Sequence, residues 1–339
     1  MRRRSLLPLA VSILAAAGFT AEAARAAEVS VTNGILTVTI ENAGTEIGQF
    51  SIATGASHPH PNESVFYPVG TSWITLRDAT ANQMWVNGSD ASAAGLAGYS
   101  LMFMNTQPAA VTPIGTSGFR TTYTLPSWTV VQDVVINGTT IADTNVRQSV
   151  TVTNTTTAPR LFGLRYFWDW EIADNDGSFF RQRSPDGAFT STFQTFAAPG
   201  FQFFEEVDNI ATPTFSIFGT VQGGTLSPAP TTPDQVRYVS WSDFDDFAWD
   251  TAVTGGNDDS GTVHFWGFNA PISLAAAASQ TFTEYVSTVQ GAIGQPTPVT
   301  TPGGGAGGPA APIPTLSPWA LVVLGVGLSG IAFLALRKH

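Results

Sequence analysis

The chain has 339 residues, 43% hydrophobic and 12% charged, so it can bury a sizeable core and lies far from the composition of disordered chains. It has no cysteine and its one lysine is Lys338, which excludes disulfide staples, thiol nucleophiles, cysteine-ligated metals, Schiff-base lysines and a phosphate-gripping P-loop lysine in the body. Leaving out Glu22 and the six basic residues of the two ends, 8 arginines face 24 acids, a charge of −16 that repels phosphates and excludes nucleic acid as a partner.

In chain order, the first element is an address. Arg2, Arg3 and Arg4 precede an apolar stretch from Leu6 to Phe19, and small-residue sites follow at Ala21-Glu22-Ala23 and Ala24-Arg25-Ala26. That order of charge, apolar run and A-x-A site reads as a secretory signal peptide over residues 1–26, removed by signal peptidase. Arg3-Arg4-Ser5-Leu6-Leu7 is also similar to a twin-arginine signal, so Sec and twin-arginine export both stay open.

Residues 27–290 read as one all-β domain. Period-two alternation outweighs helical spacing throughout, and turn signals interrupt it at short intervals. Asn33-Gly34 lies between Val29 to Val31 and Ile35 to Ile40, and Asn137-Gly138 lies between Val130 to Ile136 and Thr139 to Ile141. Both are expected to form type I′ hairpin turns, in which two positive φ angles match the strand twist. From Val146 to Asn154, residues Val146, Gln148, Val150 and Val152 share one face of a half-buried strand. From Leu161 to Ile172, residues Phe162, Leu164, Tyr166, Trp168, Trp170 and Ile172 share one face, and Arg165, Asp169 and Glu171 share the other. So many rings on one face call for a second layer to cover them, and the expected architecture is a large antiparallel β-sandwich. A supersandwich of the galactose-mutarotase type is compatible in length and strand number, by analogy of fold alone.

Residues Asp169 to Asp259 hold 15 acids and 3 arginines, a charge of −12. Within them Asp169, Glu171, Asp174 and Asp176 run from a strand end into an Asp174-Asn175-Asp176-Gly177 turn. Clustered carboxylates are the oxygen ligands that calcium takes, which makes these four a candidate calcium site; a plain polar turn is the simpler reading, and the spacing is not that of an EF-hand.

Trp241, Asp243, Asp245, Asp246 and Trp249 interleave rings with carboxylates and are followed by Gly255-Gly256-Asn257-Asp258-Asp259. Rings stack on sugar faces and carboxylates accept from hydroxyls, so the five form a candidate carbohydrate contact; the other reading makes Trp241, Phe247 and Trp249 core anchors with the acids facing water. A glycosidase would need Asp169 or Glu171 to meet a partner from this second run. His58-Pro59-His60 reads as a solvated loop, and no G-x-S-x-G elbow occurs, so no catalytic residue is assigned.

Residues 291–311 are an uncharged linker rich in Pro, Gly and Thr, and residues 312–339 follow as a tail. Its apolar run from Trp319 to Leu336 covers 18 residues, about 27 Å as a helix, and Arg337 and Lys338 stop it. The positive end stays in the cytoplasm, which places the body beyond the cytoplasmic membrane. Ile313-Pro314-Thr315-Leu316-Ser317 and Trp319 ahead of this run resemble the IPTL-CTERM sorting signal of Gram-negative bacteria, with Pro318 and Ala320 where that family usually has glutamate and glycine. The resemblance implies that an exosortase-like membrane enzyme cleaves near the motif and sends the protein toward the cell surface. Two functions stay open for the body: a non-catalytic envelope protein associating with polysaccharide or matrix, and a carbohydrate-active enzyme.

Overall fold

The computed structural model describes residues 28–295 except 69, 89–97, 245–246 and 257–258. Residues 1–26, expected to be a signal peptide, the sorting motif at 313–317 with Trp319, the apolar run 319–336, Arg337 and Lys338 lie outside the described residues. Among the described residues no helix is long and apolar enough to cross a membrane.

Nineteen strands run through the described residues: β1 (Glu28–Thr32), β2 (Leu36–Glu41), β3 (Phe50–Thr54), β4 (Trp73–Asp78), β5 (Gln83–Val86), β6 (Ser100–Phe103), β7 (Ala109–Ile114), β8 (Gly118–Thr124), β9 (Trp128–Asn137), β10 (Asn145–Asn154), β11 (Arg160–Asp169), β12 (Phe179–Arg183), β13 (Gln194–Ala197), β14 (Phe203–Val207), β15 (Ser216–Thr220), β16 (Gln235–Ser240), β17 (Ser260–Trp266), β18 (Ile272–Leu274) and β19 (Ser279–Ser287). One eight-stranded sheet has the order β12-β14-β15-β19-β10-β9-β8-β7. The other runs β13-β16-β17-β11-β4-β5-β6, with β18 added beside β11, and β1, β2 and β3 form a small third sheet. Neighbouring strands are antiparallel except β5 and β6, which pair in parallel.

The two large sheets face each other as a sandwich. Even-numbered residues of β11 from Phe162 to Trp168, continued by Trp170 and Ile172, meet Val130, Val134, Val150, Val152 and Phe282 of the opposite sheet in one core. Trp168 Nε1 donates to Gln148 Oε1 at 2.8 Å, and the Tyr166 hydroxyl donates to the Phe282 carbonyl at 3.0 Å, so the polar edges of buried rings are satisfied across the layer. Each large side chain buried this way contributes roughly 1.5–3 kcal/mol, which makes β11 the strand the sandwich is built around.

Two expectations need correction. Asn33-Gly34 does form a hairpin, but the turn sits one residue later: Asn33 N donates to Leu36 O, Gly34 takes φ 87°, and Asn33 Oδ1 accepts from Ile35 N and Leu36 N. The asparagine acts as a side-chain cap rather than as a left-handed turn residue. Asn137-Gly138 does not close a tight hairpin, because Asn137 pairs with Asn145 and residues 138–144 form a longer loop in which Asp143 Oδ1 accepts from the backbone N–H groups of Thr139 and Thr140.

The far face of β11 is covered as well. Arg165, Phe167 and Asp169 are as buried as the ring-bearing face, because a second apolar cluster of Trp73, Val86, Phe167, Phe244, Phe247, Trp249 and Phe265 covers that side of the sheet. The period-two pattern identifies two faces, but a mixed face can still be covered when another segment folds over it.

Candidate functional site

Two acidic runs that are about 70 residues apart in sequence meet at one end of the second large sheet. Asp169 is the last residue of β11, and Asp259 immediately precedes β17, its antiparallel neighbour, whose Gly261 pairs with Asp169. An added Cβ on Gly261 would lie 2.8 Å from the Trp168 carbonyl, so glycine lets the two backbones come together beside the cluster. Asp176 arrives from the turn after β11. There Ile172 and Asn175 exchange backbone hydrogen bonds of 2.9 and 3.1 Å, Asn175 Nδ2 donates to the Asp208 carbonyl, and Ser260 N donates to the Asp176 carbonyl.

These segments bring one carboxylate oxygen from each of Asp169, Asp176 and Asp259 within 4.8 Å of one another. Asp169 is 2% exposed, the other two are half-buried, and Asp169 Oδ1 accepts no hydrogen bond. Burial pushes the Asp169 carboxyl up to about 9, with Asp259, Asp176 and Glu171 adding repulsion and a Thr71 hydrogen bond opposing it. Glu171 is held up by burial and by Asp176 and Asp174, while Asp174 itself is exposed. Of the four residues that sequence singled out for calcium, the structure brings Asp169 and Asp176 together, leaves Glu171 and Asp174 at the rim, and adds Asp259.

The run of rings and acids from Trp241 divides into two parts. Its start, a 3₁₀ turn over Trp241–Asp243, sits at the acid cluster: Trp241 N donates to the Asp259 carbonyl at 2.9 Å, and its indole Nε1 donates to the Thr71 carbonyl at 3.2 Å. Trp241 and Asp243 are half-buried, and Asp245 and Asp246 lie outside the described residues.

The later part is a cover. Phe244, Phe247 and Trp249 are buried in the second cluster, and three arginines of the sheet hold the segment down. Arg165, itself fully buried, donates to the Ala248 carbonyl and to Thr75 Oγ1. Arg237 donates to the Thr251 carbonyl and to Asp250 Oδ1, and the Arg77 guanidinium lies 4.3 Å over the Trp249 ring. Trp249 therefore packs as an anchor and offers no open face to a sugar. Sequence reasoning missed these arginines as clamps, since nothing local distinguishes a covered charged residue from a solvated one.

Other ionisable groups lie deep between the sheets. His264 Nδ1 and Glu284 Oε1 are 3.6 Å apart with both side chains fully buried. Burial pushes His264 down to about 3 and holds Glu284 well above the usual carboxylate range. Glu206 is pushed up to about 8 by burial, and its Oε2 accepts from Ser178. His58 is also packed, against Phe215, with its ring nitrogens near the His60 carbonyl and Thr288 Oγ1, which corrects the reading of a solvated loop.

Residues 311–338 match the family model of the IPTL-CTERM motif. The chain carries this sorting signal. It implies an exported, membrane-associated protein that a sorting enzyme processes. No curated protein matches the chain. Among solved structures, the described fold is similar to a galactose mutarotase related enzyme from Lactobacillus acidophilus, with 8% identity and a TM-score of 0.45 over 78% of this chain and 99% of that one. A galactose mutarotase-like protein from Lactobacillus casei gives 9% identity and a TM-score of 0.44 over 77% of this chain and 99% of the other. A protein of Synechocystis gives 10% identity and a TM-score of 0.46 over 78% and 96%. Likeness at this level transfers no residue role and no activity.

Proposed function

We propose that this chain is a non-catalytic module of the bacterial envelope. After export it is held through residues 319–336 with its body outside the cytoplasmic membrane, and an exosortase-like enzyme cuts it at 313–317. At the surface the body associates with polysaccharide or matrix. The observation that carries the non-catalytic reading is the placement of the groups best suited to acid and base work: His264, Glu284 and Glu206 are fully buried between the sheets, where no substrate reaches them. Association with polysaccharide is supported by the half-buried Trp241, whose backbone N–H donates to the carbonyl of Asp259 in the acid cluster, a ring tied to a group of carboxylates that can accept from hydroxyls.

The enzyme reading has one observation in its favour, a carboxyl pushed up to about 9 at Asp169, which is the state of a general acid.

The test uses the mature protein extracted from its native envelope. It is expected to cosediment with polysaccharide from the same cells, to release no reducing sugar, and to end upstream of Trp319 by intact mass. Trp241→Ala should weaken cosedimentation several-fold. Sugar release that disappears in Asp169→Asn would turn the assignment to an enzyme.

A further inference from the structure

The acid cluster at the end of β11 goes beyond a polar turn, because its buried member has an oxygen with nothing to accept from. Asp169 Oδ1 is sealed from water and has no hydrogen-bond donor, in a side chain that is 2% exposed. A buried oxygen in that state leaves a desolvation cost unrelieved, a larger one if the group is charged. A donor would relieve it, and so would a positive ion; what faces it is two further carboxylates.

We infer that Asp169, Asp176 and Asp259 together bind a hard divalent cation of the calcium class. The distance fits, since oxygens bound at 2.3–2.6 Å to one ion stand at most about 4.6–5.2 Å apart, and these lie within 4.8 Å. The donor set fits as well: it is all oxygen, without the nitrogen or sulfur that zinc and copper select. Calcium takes six to eight oxygens in loose geometry, so three carboxylates and water suffice without an EF-hand loop. Glu171 and Asp174 at the rim add negative potential that draws a cation in.

The consequence is mechanical. The three carboxylates come from the end of β11, the turn after it and the segment leading into β17, and Trp241 is tied to the last of these through the Asp259 carbonyl. A bound ion joins these segments at the point where the 241–259 segment leaves the sheet. It stabilises the folded chain by mass action, in proportion to the logarithm of its concentration above the dissociation constant. This inference stands apart from the polysaccharide reading, since either can hold without the other.

Terbium, a calcium surrogate whose emission is excited through nearby indole rings, tests it on the mature protein extracted from its envelope. Terbium emission should appear and be displaced by calcium, and the melting temperature should rise in millimolar calcium and fall on chelation. Asp259→Asn and Asp176→Asn, both at half-buried positions, should each weaken terbium binding tenfold or more while melting in chelator as the parent does. Two variants are needed so that one misfolded protein does not decide the matter. Absence of both emission and a melting shift at millimolar calcium would overturn the site. So would binding that persists unchanged in both variants, or displacement by magnesium as effective as by calcium.

Discussion

Two sets of buried acids in this molecule are handled in different ways. Between the sheets, Glu206 and Glu284 stand apart, each accepting from a hydroxyl, Ser178 for one and Thr220 for the other. Burial there favours the protonated acid, and a neutral carboxyl with a hydroxyl neighbour is compatible with a close-packed interior. At the end of β11 three carboxylates are gathered from three segments, and the buried one keeps an oxygen without a donor. Isolation points to neutralisation by a proton, and grouping points to neutralisation by an ion. The contrast separates structural acids from a candidate site more clearly than acidic composition does.

The comparison can be pressed first at the interior. Trp168 lies in the main core, with its ring centroid 4.9 Å from that of His264 and its indole bonded to Gln148. Trp168→Ala should cost about 3–5 kcal/mol in denaturant unfolding. A loss under about 1 kcal/mol would mean that the two sheets do not pack on this ring. Next comes the outer cover. Arg165→Met should cost about 1–3 kcal/mol by leaving the Ala248 carbonyl without its buried donor, and amide exchange should accelerate over residues 244–251 while β10 stays protected. Uniform acceleration would show that the cover and the sandwich open as one unit.

The pH dependence sharpens the distinction between proton and ion. Glu206 in the folded chain is pushed up to about 8, so its stabilising contribution is complete below the ordinary glutamate range and is lost as pH rises through about 8. His264 runs the other way: pushed down to about 3, it contributes above the ordinary imidazole range and loses that contribution as pH falls toward about 3. Melting temperatures should therefore decline on both sides, and Glu206→Gln should flatten the alkaline decline. An unchanged alkaline slope in that variant would assign the decline to other groups. The smallest effect is expected at the rim: exposed Asp174→Asn should change stability by less than about 0.5 kcal/mol, and a larger change would place Asp174 inside the cluster.

Much of the scaffold is legible in the order of the residues. The alternation from Phe162 to Ile172 identifies the strand whose rings fill the core, and the face formed by Val146, Gln148, Val150 and Val152 is the one that meets it. Alternation works here because side-chain direction has a strict period of two, so a buried face leaves a residue-by-residue record. The hairpins were legible as turns but not in register, because Asn-Gly favours a reversal without fixing which residues pair across it.

The candidate site was half legible. Asp169 and Asp176 are close in sequence, and a strand running into a polar turn is a local pattern. Asp259 joins them only because β17 pairs with β11, and nothing in the chain near residue 259 announces that pairing. The fate of Trp249 is a similar case: a ring among acids fits a sugar contact as well as an anchor, and three distant arginines decide for the anchor.

By itself, then, the sequence determined the sorting motif near its C-terminal end, the all-β class and the strand on which the core is built, since each depends on composition, a short motif or a short period along the chain. Only the tertiary structure decided which carboxylates meet, which charged face is covered and which ring is left at the surface. Those outcomes depend on pairings between residues tens of positions apart, and the energy of such a contact belongs to both segments jointly and leaves no mark in either one alone.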